Sequence, residues 1–312
     1  MLSRKLFRGL IGSTAFLMLI FSITINPIVN AGAGVEPVEK FDIVKAKKML
    51  VEQHKGKAIN LSEEEKNAST RMIEKKVAKL VAHNASLSEI NANMNALGVY
   101  LLETPKNNNS EITPLSQGSD VTMNAPIIIY DPYTSRWTVT GGGYWKNTNW
   151  FNDITNVWVG YIGETKNVGN YDSVGIAFYN TSGTYNTKVI SSYGYWTDHN
   201  GWTGESYNPS HGDGRYGVAF DYQDVIKLQR LDLWIDPEDV TYLGNGFAAS
   251  ITYDSNFTNY NGYARSFYVH TWSKAKINSI SFGVSGKQFG VNFNISDAQN
   301  SFQVFNGSDT TF

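Results

Sequence analysis

The sequence predicts a mainly β protein: a β-sandwich or jelly-roll-like domain over residues 123–312, preceded by a small α-helical segment over residues 35–104. Three observations carry this. Apolar residues recur with period two from Pro126 onward, they recur at three-to-four spacing before Gly98, and all eight tryptophans fall in the β-patterned part.

The first residues read as an export signal. Lys5 and Arg8 precede an apolar run from Leu10 to Ile25, and Val29-Asn30-Ala31 supplies the small-x-small pattern of a cleavage site. The run is about sixteen residues long and contains Gly12, Ser13 and Thr14, whereas a spanning helix wants roughly 20 apolar residues. Residues 1–31 are therefore expected to be a cleaved signal peptide, cut after Ala31 or, in the Ala31-Gly32-Ala33 register, after Ala33. The mature chain would be secreted. With no cysteine it has neither disulfides nor a lipid-modified cysteine, so its core, a metal or assembly must hold it. That economy suits an exported bacterial protein, and the tail from Asn306 to Phe312 offers no apolar anchor.

Three helices are expected next. Phe41, Val44, Met49 and Val51, mixed with Lys45, Lys47 and Lys48, predict an amphipathic helix ending near Gly56. Ser62 and Glu65 form the S-x-x-E arrangement of a capping box, followed by Met72, Ile73, Val77, Leu80 and Val81. Ser86 and Glu89 repeat it before Ile90, Met94 and Leu97, and Gly98 fits a left-handed stop. Val99 to Leu102 reads as a short strand. The helices could form a small, marginal bundle. Two readings stand: a module kept in the mature protein, or a removable pro-segment. His54 and His83 are expected to be solvated. Residues 105–122, polar and aperiodic, read as a linker open to proteolysis.

The β domain begins with Ile127 to Tyr130, an Asp131-Pro132 turn and Arg136 to Thr140 as a hairpin. Further strands are expected at Val157 to Ile162, Val174 to Tyr179, Val189 to Tyr195, Val218 to Tyr222, Leu228 to Trp234, Phe247 to Tyr253, Ala264 to Thr271 and Ile277 to Val284. A return strand carries Phe289, Val291, Phe293 and Ile295. About ten short strands with Gly/Asn/Ser turns favour a sandwich, with an up-and-down barrel as runner-up. Trp137, Trp158, Trp234 and Trp272 are assigned to the core. Tyr144, Trp145 and Trp150, beside Gly141-Gly142-Gly143, are read as turn packing.

Composition excludes some functions. Residues 36–103 hold eleven Lys/Arg against ten Asp/Glu, and residues 123–312 hold eleven against sixteen. Neither part has the basic excess of a nucleic-acid binder. A pore-forming toxin is an alternative that the runs, short and interrupted by Gly175, Gly194 and Gly217, disfavour. No zinc-hydrolase cluster, paired-acid motif or nucleophile elbow stands out, and thiol chemistry is excluded.

The densest stretch lies between Tyr195 and Tyr216. Trp196, Trp202 and Tyr207 offer flat apolar faces while Asp198, His199, His211, Asp213 and Arg215 offer hydrogen bonds, a combination suited to a sugar ring. The expected function is a secreted, non-catalytic protein binding polysaccharide or another cell-surface component there. The alternative is an extracellular hydrolase using Asp198, His199, Glu205, His211 and Asp213. No cofactor is expected; structural calcium at Asp198, Asn200 and Asp213, or at Asp236, Glu238 and Asp239, lacks EF-hand spacing.

Gly142-Gly143-Tyr144-Trp145, Asn167-Val168-Gly169-Asn170-Tyr171-Asp172, His270-Thr271-Trp272-Ser273 and Ile277-Asn278-Ser279-Ile280-Ser281 together resemble a group of secreted β-rich proteins of Gram-positive bacteria. The resemblance covers most of the β domain. It implies export and a β architecture, and it implies no activity.

Overall fold

The computed structural model describes residues 41–104, 120–154, 160–183, 186–232 and 234–312. The expected signal segment, most of the expected linker, Trp158 and most of the expected strand from Val157 lie outside them. Its remaining residues, 160–162, form no strand.

Helix α1 (Ile43–Gln53) is capped by Asp42, whose carboxylate accepts the Lys45 amide. Helix α2 (Glu63–Ala82) carries the full capping box: Ser62 Oγ accepts from Glu65 N at 3.2 Å, and Ser62 N donates to Glu65 at 2.8 Å. Helix α3 (Leu87–Ala96) is capped by Ser86, and Gly98 takes φ 75° past its end. Strand β1 (Tyr100–Leu101) follows at once and pairs with the far end of β2 (Val121–Asp131), whose first residues, Val121 and Thr122, pair with Trp145 and Tyr144 and fall inside the stretch read as linker.

The remaining strands are β3 (Arg136–Trp145), β4 (Thr165–Ser182), β5 (Val189–Thr197), β6 (Thr203–Ser206), β7 (Gly217–Leu228), β8 (Val240–Leu243), β9 (Gly246–Tyr253), β10 (Asn261–Thr271), β11 (Lys276–Phe282), β12 (Val291–Ser296), β13 (Ser301–Phe305) and β14 (Thr310–Thr311). One antiparallel sheet runs β1-β2-β3-β9-β5-β6 and a second runs β13-β10-β4-β7-β8, with β14 also on β10. They face one another. Trp137, Val139, Phe247 and Ile251 of the first share a core with Val174, Ile176, Phe220 and Tyr268 of the second. The protein is thus a β-sandwich.

Each outer face is also covered. Ile73, Val77, Val81, Ile90 and Met94 of α2 and α3 share a cluster with Ile129, Tyr193, Tyr195 and Ala248 of the first sheet, so the helices share a core with the sheet. The β11–β12 hairpin lies on the second sheet, with Ile277, Ile280 and Val291 against Phe267 and Val269. It has the expected alternation in strands of seven and six residues, but the expectation that all runs are short does not hold elsewhere: β2, β4, β7 and β10 are 11, 18, 12 and 11 residues long. Among the described residues no helix is long and apolar enough to cross a membrane.

Several expectations change. The strand read from Leu228 to Trp234 ends at Leu228, and Trp234 is 82% exposed instead of buried. Gly175 does not interrupt its run: β4 passes through it for 18 residues, because a Cβ there would meet the Phe267 ring at 2.3 Å. Gly194 likewise makes room for Phe220, and Gly217 opens a twelve-residue β7. Gly141 to Gly143 lie inside β3, where a Cβ on Gly142 would stand 2.2 Å from the Phe247 carbonyl. Trp145 is core, and Trp150 stacks on Tyr242 at 4.2 Å. His54 and His83 are half-buried: His54 stacks on Tyr100 at 3.6 Å, and His83 sits 4.7 Å from His199, edge to face.

Candidate functional site

The stretch from Tyr195 to Tyr216 is a hairpin of β5 and β6 followed by a return to β7. Its polar residues mostly serve that path. Asp198 is buried and accepts the amides of Asn200 and Trp202 at 2.8 and 2.9 Å, which closes the hairpin tip. Asp213 accepts the Arg215 amide at 2.9 Å, and the Arg215 carbonyl accepts from Tyr260. The other calcium candidates are similarly engaged, with Asp236 accepting from Glu238 N and Asp239 from Arg230.

The eight predicted residues divide among different surroundings. Trp196 faces inward and stacks on Tyr222 at 5.0 Å, leaving its other face to Gly204. Tyr207 lies toward the helices, 4.9 Å from Tyr193, with the Arg71 guanidinium over its ring. His199 also turns toward the helices, and burial, then His83, lowers its pKa. His211 Nε2 lies 2.9 Å from Asp221, with Nδ1 near Ile280 N of the outer hairpin. Trp202 is half-buried, and Lys227 holds its ammonium 4.7 Å from the ring. Glu205 accepts from Lys75 at 2.8 Å and from Tyr193 at 2.7 Å. None of these contacts joins the acids and imidazoles of the hydrolase reading into one constellation.

Two exposed aromatic side chains, Tyr161 and Trp234, lie on the loops that precede β4 and follow β7. Lys227 pairs across strands with Thr165, at the foot of the turn that carries Tyr161 and Ile162. Gly163 N donates to Leu228 O and Leu228 N to Glu164 O, so this turn is tied to the segment leading to Leu231 and Trp234. Tyr161 and Trp234 are 72% and 82% exposed. Such side chains ordinarily seek cover. The Pro237 turn, capped by Asp236 and braced by Arg230 on Asp239 at 2.6 Å, fixes the return of the Trp234 segment.

A second constellation, absent from the sequence reading, lies in the core. His270 on β10 places Nδ1 within 3.0 Å of both Asp172 oxygens and Nε2 2.9 Å from Asp153. Burial alone would lower the imidazole's pKa, but Asp172 and Asp153 raise it to about 10. Asp172 also accepts from Tyr268 and from Thr271 N. Asp224 accepts from Tyr242 at 2.9 Å, and burial, then the charge of Asp172, pushes its carboxyl well above the usual range. The sequence holds a signal for this. Phe220, Tyr222, Asp224 and Ile226 share one strand face, and an acid in that apolar row needs a partner.

A cavity of about 650 Å³ lies apart from both, between α3, β1, β2 and Ser308 to Thr310, lined largely by aliphatic groups such as Leu87, Ile90 and Ile127. No family model matches this chain, and no curated protein matches it.

Proposed function

We propose that this chain is an exported, non-catalytic binding protein that holds polysaccharide through its exposed aromatic side chains Tyr161 and Trp234, with Trp202 as a further contact. The observation that carries this reading is the exposure of Trp234 and Tyr161, at 82% and 72%, on two loops joined by backbone hydrogen bonds. Aromatic side chains have few rotatable bonds and so lose little entropy on stacking against a flat sugar face. Lys227, whose ammonium lies 4.7 Å from the Trp202 ring, supplies a hydrogen-bond donor. Open, exposed aromatic surface suits a polymer. Of the aromatic side chains read from the loop, Trp202 remains a candidate contact, whereas Trp196 packs on Tyr222 and Tyr207 lies toward the helices. Affinity electrophoresis in gels containing soluble glycans tests the reading: retardation of the wild type, weakened in Trp234→Ala, supports it, and equal mobility in every gel contradicts it.

A further inference from the structure

The cavity of about 650 Å³ beside α3 is walled by α2, α3, β1, β2 and the segment Ser308 to Thr310. Val81, Ile90, Leu102 and Ile128 line it and are buried, which makes its floor aliphatic. Leu87 and Glu103 also line it and are exposed, so they stand at its mouth. Ligand sites are ordinarily pockets of roughly 300–1,000 Å³ with apolar walls and a few polar groups. This cavity has that size and those walls.

The wall opposite α3 is held by its backbone. The β2–β3 register shifts between Asn124 and Ile127, so Ala125 and Pro126 stand out of the ladder. Thr310 Oγ1 donates to the Pro126 carbonyl at 2.9 Å, and Ser266 Oγ donates to the Asn124 carbonyl. The bulge is thereby tied to β14 and β10.

The charges around the cavity have one sign. Among the described lining residues Glu103 and Asp309 are acids, and none is lysine, arginine or histidine. Asp309 is already engaged, accepting from Arg265 Nε at 2.5 Å and from Tyr179. Glu103 has no hydrogen-bond or ion-pair partner among the described residues. A carboxylate left free at the mouth of an aliphatic pocket attracts a cation and repels an anion.

We propose that this cavity binds a small cationic amphiphile, with its alkyl body between Ile90 and Ile128 and its ammonium group at Glu103. The inference stands apart from the glycan reading and shares no residue with it. Aliphatic walls favour an alkyl chain over a sugar, whose hydroxyls would be buried without partners. Burial of the chain supplies the affinity. Glu103 supplies the selection, on the modest scale of an exposed ion pair.

The test titrates the full chain by isothermal calorimetry with octylammonium, octanol and octanoate, which share one alkyl chain and differ in charge. The expected result is one saturable site for octylammonium, with octanoate about fivefold weaker, the scale of one exposed ion pair. Glu103→Gln should bring the two within about twofold of each other. Ala125→Trp, at an exposed lining position where a bulky side chain leaves the core intact, should abolish binding of all three. Leu87→Trp repeats that block from α3. Absence of saturable octylammonium binding to the wild type overturns the proposal. So does octanoate binding as tightly as octylammonium, selectivity unchanged in Glu103→Gln, or binding unchanged in both tryptophan variants.

Discussion

The ammonium of Lys47 lies 3.8 Å from the centroid of the Phe257 ring, and that contact pins helix α1 to the end of the sandwich. Lys47 is fully buried and donates to the carbonyls of Phe257 and Tyr260 at 2.9 and 2.6 Å, with the Trp137 and Phe312 rings 5.9 and 5.4 Å away. The lysine takes the place of an apolar side chain on the buried face, one turn after Ile43.

Replacing this lysine is expected to be costly. Lys47→Ala should lower the free energy of unfolding by about 3 kcal/mol, from lost charge-assisted hydrogen bonds and a cavity. Urea titration checks it, and a loss below about 1 kcal/mol would mean that the cage contributes little. Burial holds the Lys47 pKa well below its usual value. The folded state therefore favours the neutral amine, so the wild type should gain stability relative to Lys47→Met as pH rises toward 10.5.

Glu74 gives the opposite slope. It accepts from Thr252 at 2.7 Å and Ser191 at 2.9 Å beneath α2, and burial raises its pKa from 4.5 to about 7 despite those bonds. The folded state thus favours the protonated acid, and stability present below pH 4.5 declines as pH rises through about 7. The shift corresponds to about 3 kcal/mol. Glu74→Gln should match the wild type near pH 4.5 and exceed it by about 2–3 kcal/mol at pH 8. Parallel pH profiles for the two proteins would refute this.

The shared helix–sheet cluster bears on processing. Removing residues before 120 would expose Ile129, Tyr193, Tyr195 and Ala248, which α2 and α3 cover. The mature chain is therefore expected to retain its helices, and on the proposed export it should begin at Gly32 or Gly34. Intact mass and N-terminal sequencing of protein from culture medium check this; a start between Lys106 and Met123 would make the helical segment a pro-region.

The helices and most strands were legible because their signals are local. Ser62 and Ser86 announce the caps, and Ile280 and Phe282 against Val291 and Phe293 announce the outer hairpin. What escaped depends on partners far along the chain. Trp234 sits in an apolar run that resembles a strand, yet that run leaves the ladder after Leu228, and hydropathy does not report where pairing stops. Asp172 and His270 meet only after β4 and β10 pair, although each interrupts an apolar strand face in a way a period-two reading can detect. At the predicted loop the difficulty was reversed. Trp196 and Trp202 lie close in sequence, but the hairpin sends one inward against Tyr222 and leaves the other half-buried beside Lys227.

The most direct test of the central claim is the elution volume of the full chain on columns of insoluble polysaccharides, run in parallel for wild type, Trp234→Ala, Tyr161→Ala and Trp202→Ala. Single losses of stacking should weaken binding by about 1–2 kcal/mol, roughly five- to thirtyfold. Trp234→Ala and Tyr161→Ala should leave the unfolding midpoint unchanged, since both side chains are largely exposed. The account predicts retention of the wild type on at least one glycan and earlier elution of all three variants. Identical elution of wild type and variants on every column would contradict it.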